Sequence, residues 1–563
     1  MENWHSKKPG FRVTVFKRDS STVIDLLQVQ RGCTTARLDH LTLILLGEVV
    51  DEKGFLSAAE ILDRVQHSGV DCARDFDGAF VLLLVSDTSA PPNVITDPLN
   101  SLKCFIEETP EAFILASSLC FLPARARALD RIGITSFLAN GVIYNHRTIF
   151  DGVRSLSRAS IHTIDSRTGP HSRTYWEYKF DDGFSKRSRK DLKEELASLL
   201  LNAAKRRINP AEKIYLSLSG GYDSTCVLGL LSRIRPEKLE CFSYITDQAS
   251  TGSDETVAQQ MAKIAGFPHR SVIFFQGDFI DLVRRNAAMG ECRANFCGEL
   301  DAWQSIQNEM SEDGVFFVGD ECFGWSDCRL CSVQDILASI PIQRAGVLSK
   351  YADCLNSEAL GGDYDREILA ITEAALAQDL HRTKDFLYLD QRLGNVIMPW
   401  RELFGGRHTP LRNLLLDRRI LDFMTHVPSS LRRGKKLYKE TVRMMFPELF
   451  RVKRAFRPQK DYVKMAIHQQ RERIESELLG GESSRIDEWF ALRKCAELLQ
   501  HARPADAPSL KKKALIFGKK MFKESPLAHT FKGLFPPTPM TNVDPLVLLT
   551  RILTLREYLR NPE

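Results

Sequence analysis

Short apolar runs broken by Gly, Asp and Pro recur through the first ~180 residues, at 41–46, 80–85 and 113–116. Runs of this length bounded by turn formers predict strands, so the front of the chain reads as β-rich, with helices expected at 57–68 and 135–140. The stretch 181–190 is polar and basic and predicts a linker. Behind it Leu192, Leu196, Leu199 and Ala203 share one helical face. A new domain is expected to open there, which divides the chain into 1–183 and 191–563. From 213 to about 275 strands alternate with helices, the pattern of a parallel α/β sheet. Beyond 330 the periodicity is mostly helical. The predicted fold class is α/β, with a β-rich sandwich of α+β type in front of a parallel sheet that carries helical additions.

Composition narrows the picture. With 563 residues, 43% hydrophobic and 26% charged, the chain suits two or more domains with their own cores. The net charge of +5 gives no case for nucleic acid, and no run of about 18 apolar residues suggests a membrane span. The start, Met1-Glu2-Asn3-Trp4, has no secretory character. Thirteen cysteines without a regular framework suit reduced thiols, so a cytoplasmic location is expected. Five of them, Cys292, Cys297, Cys322, Cys328 and Cys331, flank one candidate site; Cys328 and Cys331 have metal-ligand spacing, but the rest are irregular and read as core thiols. The basic stretch 502–539 reads as a solvated surface.

The chemistry gathers around Ser219-Gly220-Gly221-Tyr222-Asp223-Ser224, directly behind the apolar run 214–218. Strand, glycine loop and helix in this order make a phosphate cradle: glycines admit close backbone approach, and the helix start offers unpaired N–H groups and a positive dipole end. Ser219, Gly220, Gly221 and Ser224 are candidate ATP contacts, and Asp223 is a carboxylate able to hold Mg2+ on a polyphosphate. The Walker lysine is missing. Downstream, the four apolar residues 315–318 predict a buried parallel strand with Gly319-Asp320-Glu321 at its carboxyl end. Ligands sit at such ends in open α/β sheets. Gly319 joins the nucleotide site, and Asp320 pairs with Asp223 as a metal ligand. A third piece runs from Gly434-Lys435-Lys436 through Lys439 to Arg443 and supplies lysines able to stabilise developing charge.

Together these motifs resemble the asparagine synthetase family of the ATP pyrophosphatase superfamily, over most of the chain. The resemblance implies that Asp223 and Asp320 hold magnesium, that Glu321 is the acid beside them, and that Lys439, in its Lys-Xaa-Xaa-Val-Arg setting, is the catalytic lysine. Pro410-Leu411 and Asp417 loosely match a further family segment. In the front third, Phe76-Asp77-Gly78-Ala79-Phe80, Asp87, Thr96-Asp97-Pro98-Leu99, Ala116-Ser117-Ser118, Phe150-Asp151-Gly152-Val153 and Tyr175-Trp176 resemble the family's Ntn glutaminase domain. Two departures decide what to expect. A working glutaminase needs an N-terminal cysteine; Glu2 follows Met1 and the first cysteine is Cys33, so this domain is expected to be inactive. Phe317 stands where asparagine synthetases carry a glutamate, and a phenyl ring moves no protons.

The resemblance therefore implies an AMP-forming carbon–nitrogen ligase using ATP and Mg2+. Its substrate would be a peptide or small molecule bearing a carboxylate and an amine. Of the cysteine-free branches, the lasso peptide macrolactam cyclases, enzymes of natural product biosynthesis, are preferred over β-lactam synthetase, because no tyrosine stands at position 317. A leader peptidase is an expected partner. Ammonia-dependent asparagine synthesis and a non-catalytic scaffold are the alternatives.

Overall fold

The computed structural model describes residues 10–560, apart from 19, 28–32, 89, 124–127, 246–252, 311–313, 325–326, 357–359, 361–362, 377–378, 408, 454–461 and 502–535. The chain start and the lysines of 511–520 thus lie outside the described residues.

Among the described residues, the front of the chain holds twelve strands: β1 Gly10–Phe16, β2 Thr22–Leu27, β3 Cys33–Leu38, β4 Leu41–Val50, β5 Phe55–Leu56, β6 Asp77–Ser86, β7 Asn93–Thr96, β8 Phe105–Glu108, β9 Ala112–Ala116, β10 Val153–Ser155, β11 Ser160–Asp165 and β12 Gly169–Thr174. They form two antiparallel sheets, β10-β8-β9-β1-β2 and β12-β11-β7-β6-β4-β3, with β5 added on β4. Val13, Val15, Phe113 and Leu115 of the first sheet meet Ile44, Leu46, Val81 and Leu83 of the second in one core. The alternate residues of β4 and β6, Leu43, Leu45, Leu82 and Leu84, pack instead under Ile61, Leu62 and Val65 of helix α1 (Ala58–Ser68). Burial on both faces is why these strands read as unbroken apolar runs. Ser57 and Glu60 close a reciprocal cap at the start of α1, as the sequence pattern requires. Helix α2, Arg131–Asn140, begins four residues before its expected start because Asp130 caps it through the Gly133 amide.

After Ser188 caps helix α3, Arg189–Arg207, five parallel strands follow: β13 Lys213–Ser217, β14 Lys238–Ile245, β15 His269–Ile273, β16 Gly314–Val318 and β17 Leu411–Asn413, in the order β15-β14-β13-β16-β17. Helix α4, Tyr222–Ile234, joins β13 to β14, and α5, Asp254–Ala265, joins β14 to β15. Ser253 caps α5 and Gly266 ends it at φ 80°, as its sequence predicts. The chain moves outward from β13 to β15, then returns to place β16 on the other side of β13. Such a reversal opens a crevice at the carboxyl ends of the two central strands, where α/β sheets bind ligands. All five residues of β16 are buried. Val315 and Phe317 face α3 and α4, whereas Phe316 and Val318 face Trp303. Beyond β16 the described chain is mainly helical, as expected. No helix among the described residues is long and apolar enough to cross a membrane.

Candidate active site

The phosphate loop and the acidic turn occupy the two sides of that crevice. Helix α4 starts at Tyr222 with Gly221 in the N-cap position and no side-chain cap, so its positive end opens on the loop. The loop is shaped by its serines. The Ser219 amide donates to Ser224 Oγ at 3.1 Å, the Ser224 hydroxyl lies 2.9 Å from Ser219 Oγ, and the Gly221 amide donates to Ser219 Oγ at 3.2 Å. The Gly220 amide donates to Asp254 Oδ1 at 3.1 Å, which fastens the loop to the start of α5. Gly319 has a steric role that the sequence did not suggest: a Cβ there would stand 2.6 Å from the Ser224 nitrogen. Only glycine lets the end of β16 lie against the first turn of α4.

The acids predicted from sequence do converge here, but each has a partner. Asp320 is gripped by Arg401, whose Nε and Nη2 donate to its Oδ2 and Oδ1 at 3.0 and 3.2 Å, and it also accepts from Asn413 Nδ2 at 3.3 Å. Asp223 Oδ2 and Glu321 Oε1 both lie 3.0 Å from Lys435 Nζ. Glu321 is buried, accepts from the Phe323 amide at 2.6 Å and meets the Tyr388 hydroxyl at 3.3 Å. Burial pushes its carboxyl up to about 7, against the pull of Lys435. Burial presses Lys435 the other way, but the carboxylates of Glu321 and Asp223 outweigh it and hold the ammonium protonated above its usual range.

Of the lysines on the basic stretch, Lys435 bridges the acids. Lys439 lies one turn further on, with Nζ 5.6 Å from the centre of the Tyr222 ring; burial, then Lys435 and Arg443, hold its pKa down. The reason is local backbone. Gly434 and Lys435 both take left-handed conformations, φ 61° and 59°, just before the helix Lys436–Met445. That turn aims Lys435 back across the crevice. A non-glycine residue held there costs of the order of 1 kcal/mol, and Tyr438 of the same helix, stacked at 3.9 Å on Phe323, fixes it beside the acidic turn. The glycine before Lys435 was the available signal.

Arg401, Trp400, Tyr244, Asn295 and Glu299 complete the crevice with Ser219, Asp223, Ser224 and Gly319. None carried a motif. Arg401 comes from a wide-turned π-helical stretch, Arg401–Gly405, a geometry often found at functional sites. Glu299 lies just before the helix Leu300–Glu309, and burial raises its pKa. Phe317 is fully buried in β16. Pro410 and Leu411 lead into β17, and Asp417 caps the helix Arg418–His426 while pairing with Arg206 and Arg207. Of the cysteine cluster, Cys292, Cys297, Cys322 and Cys328 are buried and Cys331 is exposed. Among the described residues no group of three or more His, Cys, Asp or Glu side chains could hold a metal by themselves. Mg2+ on a nucleotide asks for less, one or two carboxylates plus phosphate oxygens. Asp223 fits this, since its buried Oδ1 has no hydrogen-bond partner; Asp320 would first have to release Arg401.

Residues 195–304 match the family model described as asparagine synthase. Among curated proteins, the amidase chry2 of Gibberella zeae is 24% identical over 134 residues, a stretch that spans 21% of this chain and 20% of that relative. Among solved structures, the glutamine phosphoribosylpyrophosphate amidotransferase from B. subtilis complexed with ADP and GMP is 9% identical, with 58% of this chain and 78% of that chain covered and a TM-score of 0.19. The U34-tRNA thiolase NcsA from Methanococcus maripaludis with its [4Fe-4S] cluster is 12% identical, with 57% and 85% covered and a TM-score of 0.22. Overlaps this loose decide neither fold nor chemistry. The family match thus covers the segment that holds the phosphate loop, α4 and α5, and it is a likeness to an ATP-dependent, ligase-like domain.

Proposed function

We propose that this protein adenylates a substrate carboxylate with ATP and lets an amine open the adenylate, forming an amide. The carrying observation is the convergence of the serine–glycine loop, Asp223, Glu321 and Lys435 at the carboxyl ends of β13 and β16. In the first step a carboxylate oxygen attacks the α-phosphorus, the bond to the β-phosphate oxygen breaks, and pyrophosphate leaves. In the second the amine attacks the acyl carbon, AMP leaves and the nitrogen loses a proton. The loop amides and serines would hold the phosphates, and Lys435 would steady the charge that develops at the α-phosphate. Mg2+, when bound with ATP, would be held by Asp223, joined by Asp320, and would offset the charge of the phosphates. With Phe317 buried in its strand, Glu299, a carboxylate that lines the crevice, would take the proton of the amine.

The finer reading is a lasso peptide macrolactam cyclase, in which one peptide supplies both the acidic side chain and the N-terminal amine. A closed crevice holding both groups replaces encounter by effective concentration. A leader peptidase working beside it in the cytoplasm belongs to this reading. Incubation of the full-length protein with ATP, Mg2+ and a linear peptide with a free amine and one Asp or Glu is expected to give AMP, pyrophosphate and a peptide lighter by one water. Asparagine formed from aspartate and ammonia would replace the cyclase reading with that of a plain synthetase.

A further inference from the structure

The two candidate metal ligands face the same crevice but are held in different ways. Asp223 Oδ2 lies 3.0 Å from Lys435 Nζ, and its buried Oδ1 has no hydrogen-bond partner. Both oxygens of Asp320 are taken by a single side chain. Arg401 Nε donates to Oδ2 at 3.0 Å and Nη2 donates to Oδ1 at 3.2 Å. A two-pronged bond between guanidinium and carboxylate is among the strong hydrogen-bonded pairs, and here it stands where a metal would bind.

The pair is nevertheless open to exchange. The side chains of Arg401 and Asp320 are 21% and 12% exposed, whereas Glu321, which shares Lys435, is 4% exposed. Both members line the crevice beside Ser219, Ser224 and Gly319. Asp320 also has a second support. Asn413 Nδ2 donates to its Oδ2 at 3.3 Å, and Asn413 is itself fixed, because its Oδ1 accepts from the Leu415 amide at 3.0 Å. The parallel register sets Asn413 opposite Val318, next to the end of β16. The carboxylate therefore keeps its direction when the guanidinium leaves. Arg401 has a resting place as well, since its Cζ lies 5.1 Å from the centre of the Trp400 ring, within cation–π reach.

Charge and distance decide which cation Asp320 prefers. At equal dielectric, a divalent ion about 2 Å from a carboxylate oxygen attracts it about three times as strongly as a single charge about 3 Å away. Mg2+ sheds its water reluctantly and binds with substrate phosphates as co-ligands, so metal without nucleotide leaves the pair closed. We propose that Arg401 is a positioning residue for the metal: it neutralises and aligns Asp320 in the empty crevice, and it cedes the carboxylate when Mg2+ arrives on a nucleotide. This inference rests on the ligase reading and deepens it. Parting the pair costs binding free energy, so this arginine, although it lines a phosphate site, weakens the Mg2+–nucleotide complex. Without metal the sign reverses, because Arg401 then shields the phosphates from Asp320.

The probe is α,β-methylene-ATP, whose α–β bridge cannot be broken, titrated calorimetrically into the full-length protein in Mg2+ or in EDTA. Arg401→Met is expected to bind it at least ~5-fold more tightly than the parent in Mg2+, the lower end of coupling between linked binding events, and no more tightly in EDTA. Asp320→Asn should weaken the Mg2+ complex, and Arg401→Met added to it should give no tightening, a cycle that isolates the pair. Arg401→Lys keeps the charge but loses the fork; it should fall between parent and Arg401→Met, and it decides the matter if the methionine variant does not fold. Equal or weaker binding in Mg2+ by the arginine variants overturns the inference and leaves the ligase reading standing. Tightening that persists in EDTA or in the Asp320→Asn background overturns it too. A parent protein that binds no α,β-methylene-ATP in either condition removes the ligase reading, and the inference with it.

Discussion

Lys435 and Lys439 stand four residues apart on one basic stretch, yet only the first reaches the two acids. Lys435→Met is expected to lower pyrophosphate release by ~10²-fold or more, as loss of a charge-stabilising donor does, whereas Lys439→Met should change it by less than about 3-fold; steady-state pyrophosphate release separates the two. Asp97 behaves differently. It lies fully buried and accepts from the amides of Leu99, Ser101, Leu102 and Phe80, but burial outweighs those bonds and raises its pKa to about 6. Its unfolded value is about 3.9. Between these limits the folded state holds the extra proton, so this contribution to stability is full below about pH 4 and is lost as pH rises to about 6. In Asp97→Asn, thermal unfolding across that window should show a shallower decline with pH than in the parent.

At the scale of elements, the strand–loop–helix unit could be read from sequence because its signals are local: an apolar run, two glycines and a helical face. The buried strand β16 was equally plain, since four apolar residues in a row suit a strand covered on both faces. What could not be read was which distant side chains take hold of those acids. Arg401 grips Asp320 from 81 residues away, and nothing in the sequence near Trp400 marks it. The approach of Lys435 to the acids was hidden for a related reason, because two left-handed residues set its direction and helical spacing carries no trace of them. Gly319 was assigned to the nucleotide, but its closest constraint is the first turn of α4. Gly319→Ala should drive β16 and α4 apart, with a cost of about 1–3 kcal/mol from overpacking. Urea unfolding and ATP titration should both register it, and unchanged ATP affinity would show that the close approach is not needed for the loop.

Across the whole molecule, the sandwich and the parallel sheet are joined by buried ion pairs more than by a linker. Arg207 of α3 reaches Asp77 of β6 and Asp417, and Arg412 of β17 reaches Glu48 of β4. The residues of this joint come from segments more than 100 residues apart, so no local pattern announced them. Removing one partner of a buried pair leaves a charge without compensation, which costs about 3–5 kcal/mol. Arg207→Met should lower the unfolding midpoint accordingly in chemical denaturation. A change under about 1 kcal/mol would mean that apolar packing alone holds the halves together.

The most direct measurement follows an oxygen atom. A linear peptide whose acidic side chain carries 18O is incubated with the full-length protein, ATP and Mg2+, and the nucleotide products are examined by 31P NMR and mass spectrometry. Attack of the carboxylate on the α-phosphorus predicts AMP with one 18O and unlabelled pyrophosphate. Formation of ADP and phosphate, or AMP without the label, would contradict adenylation at this site.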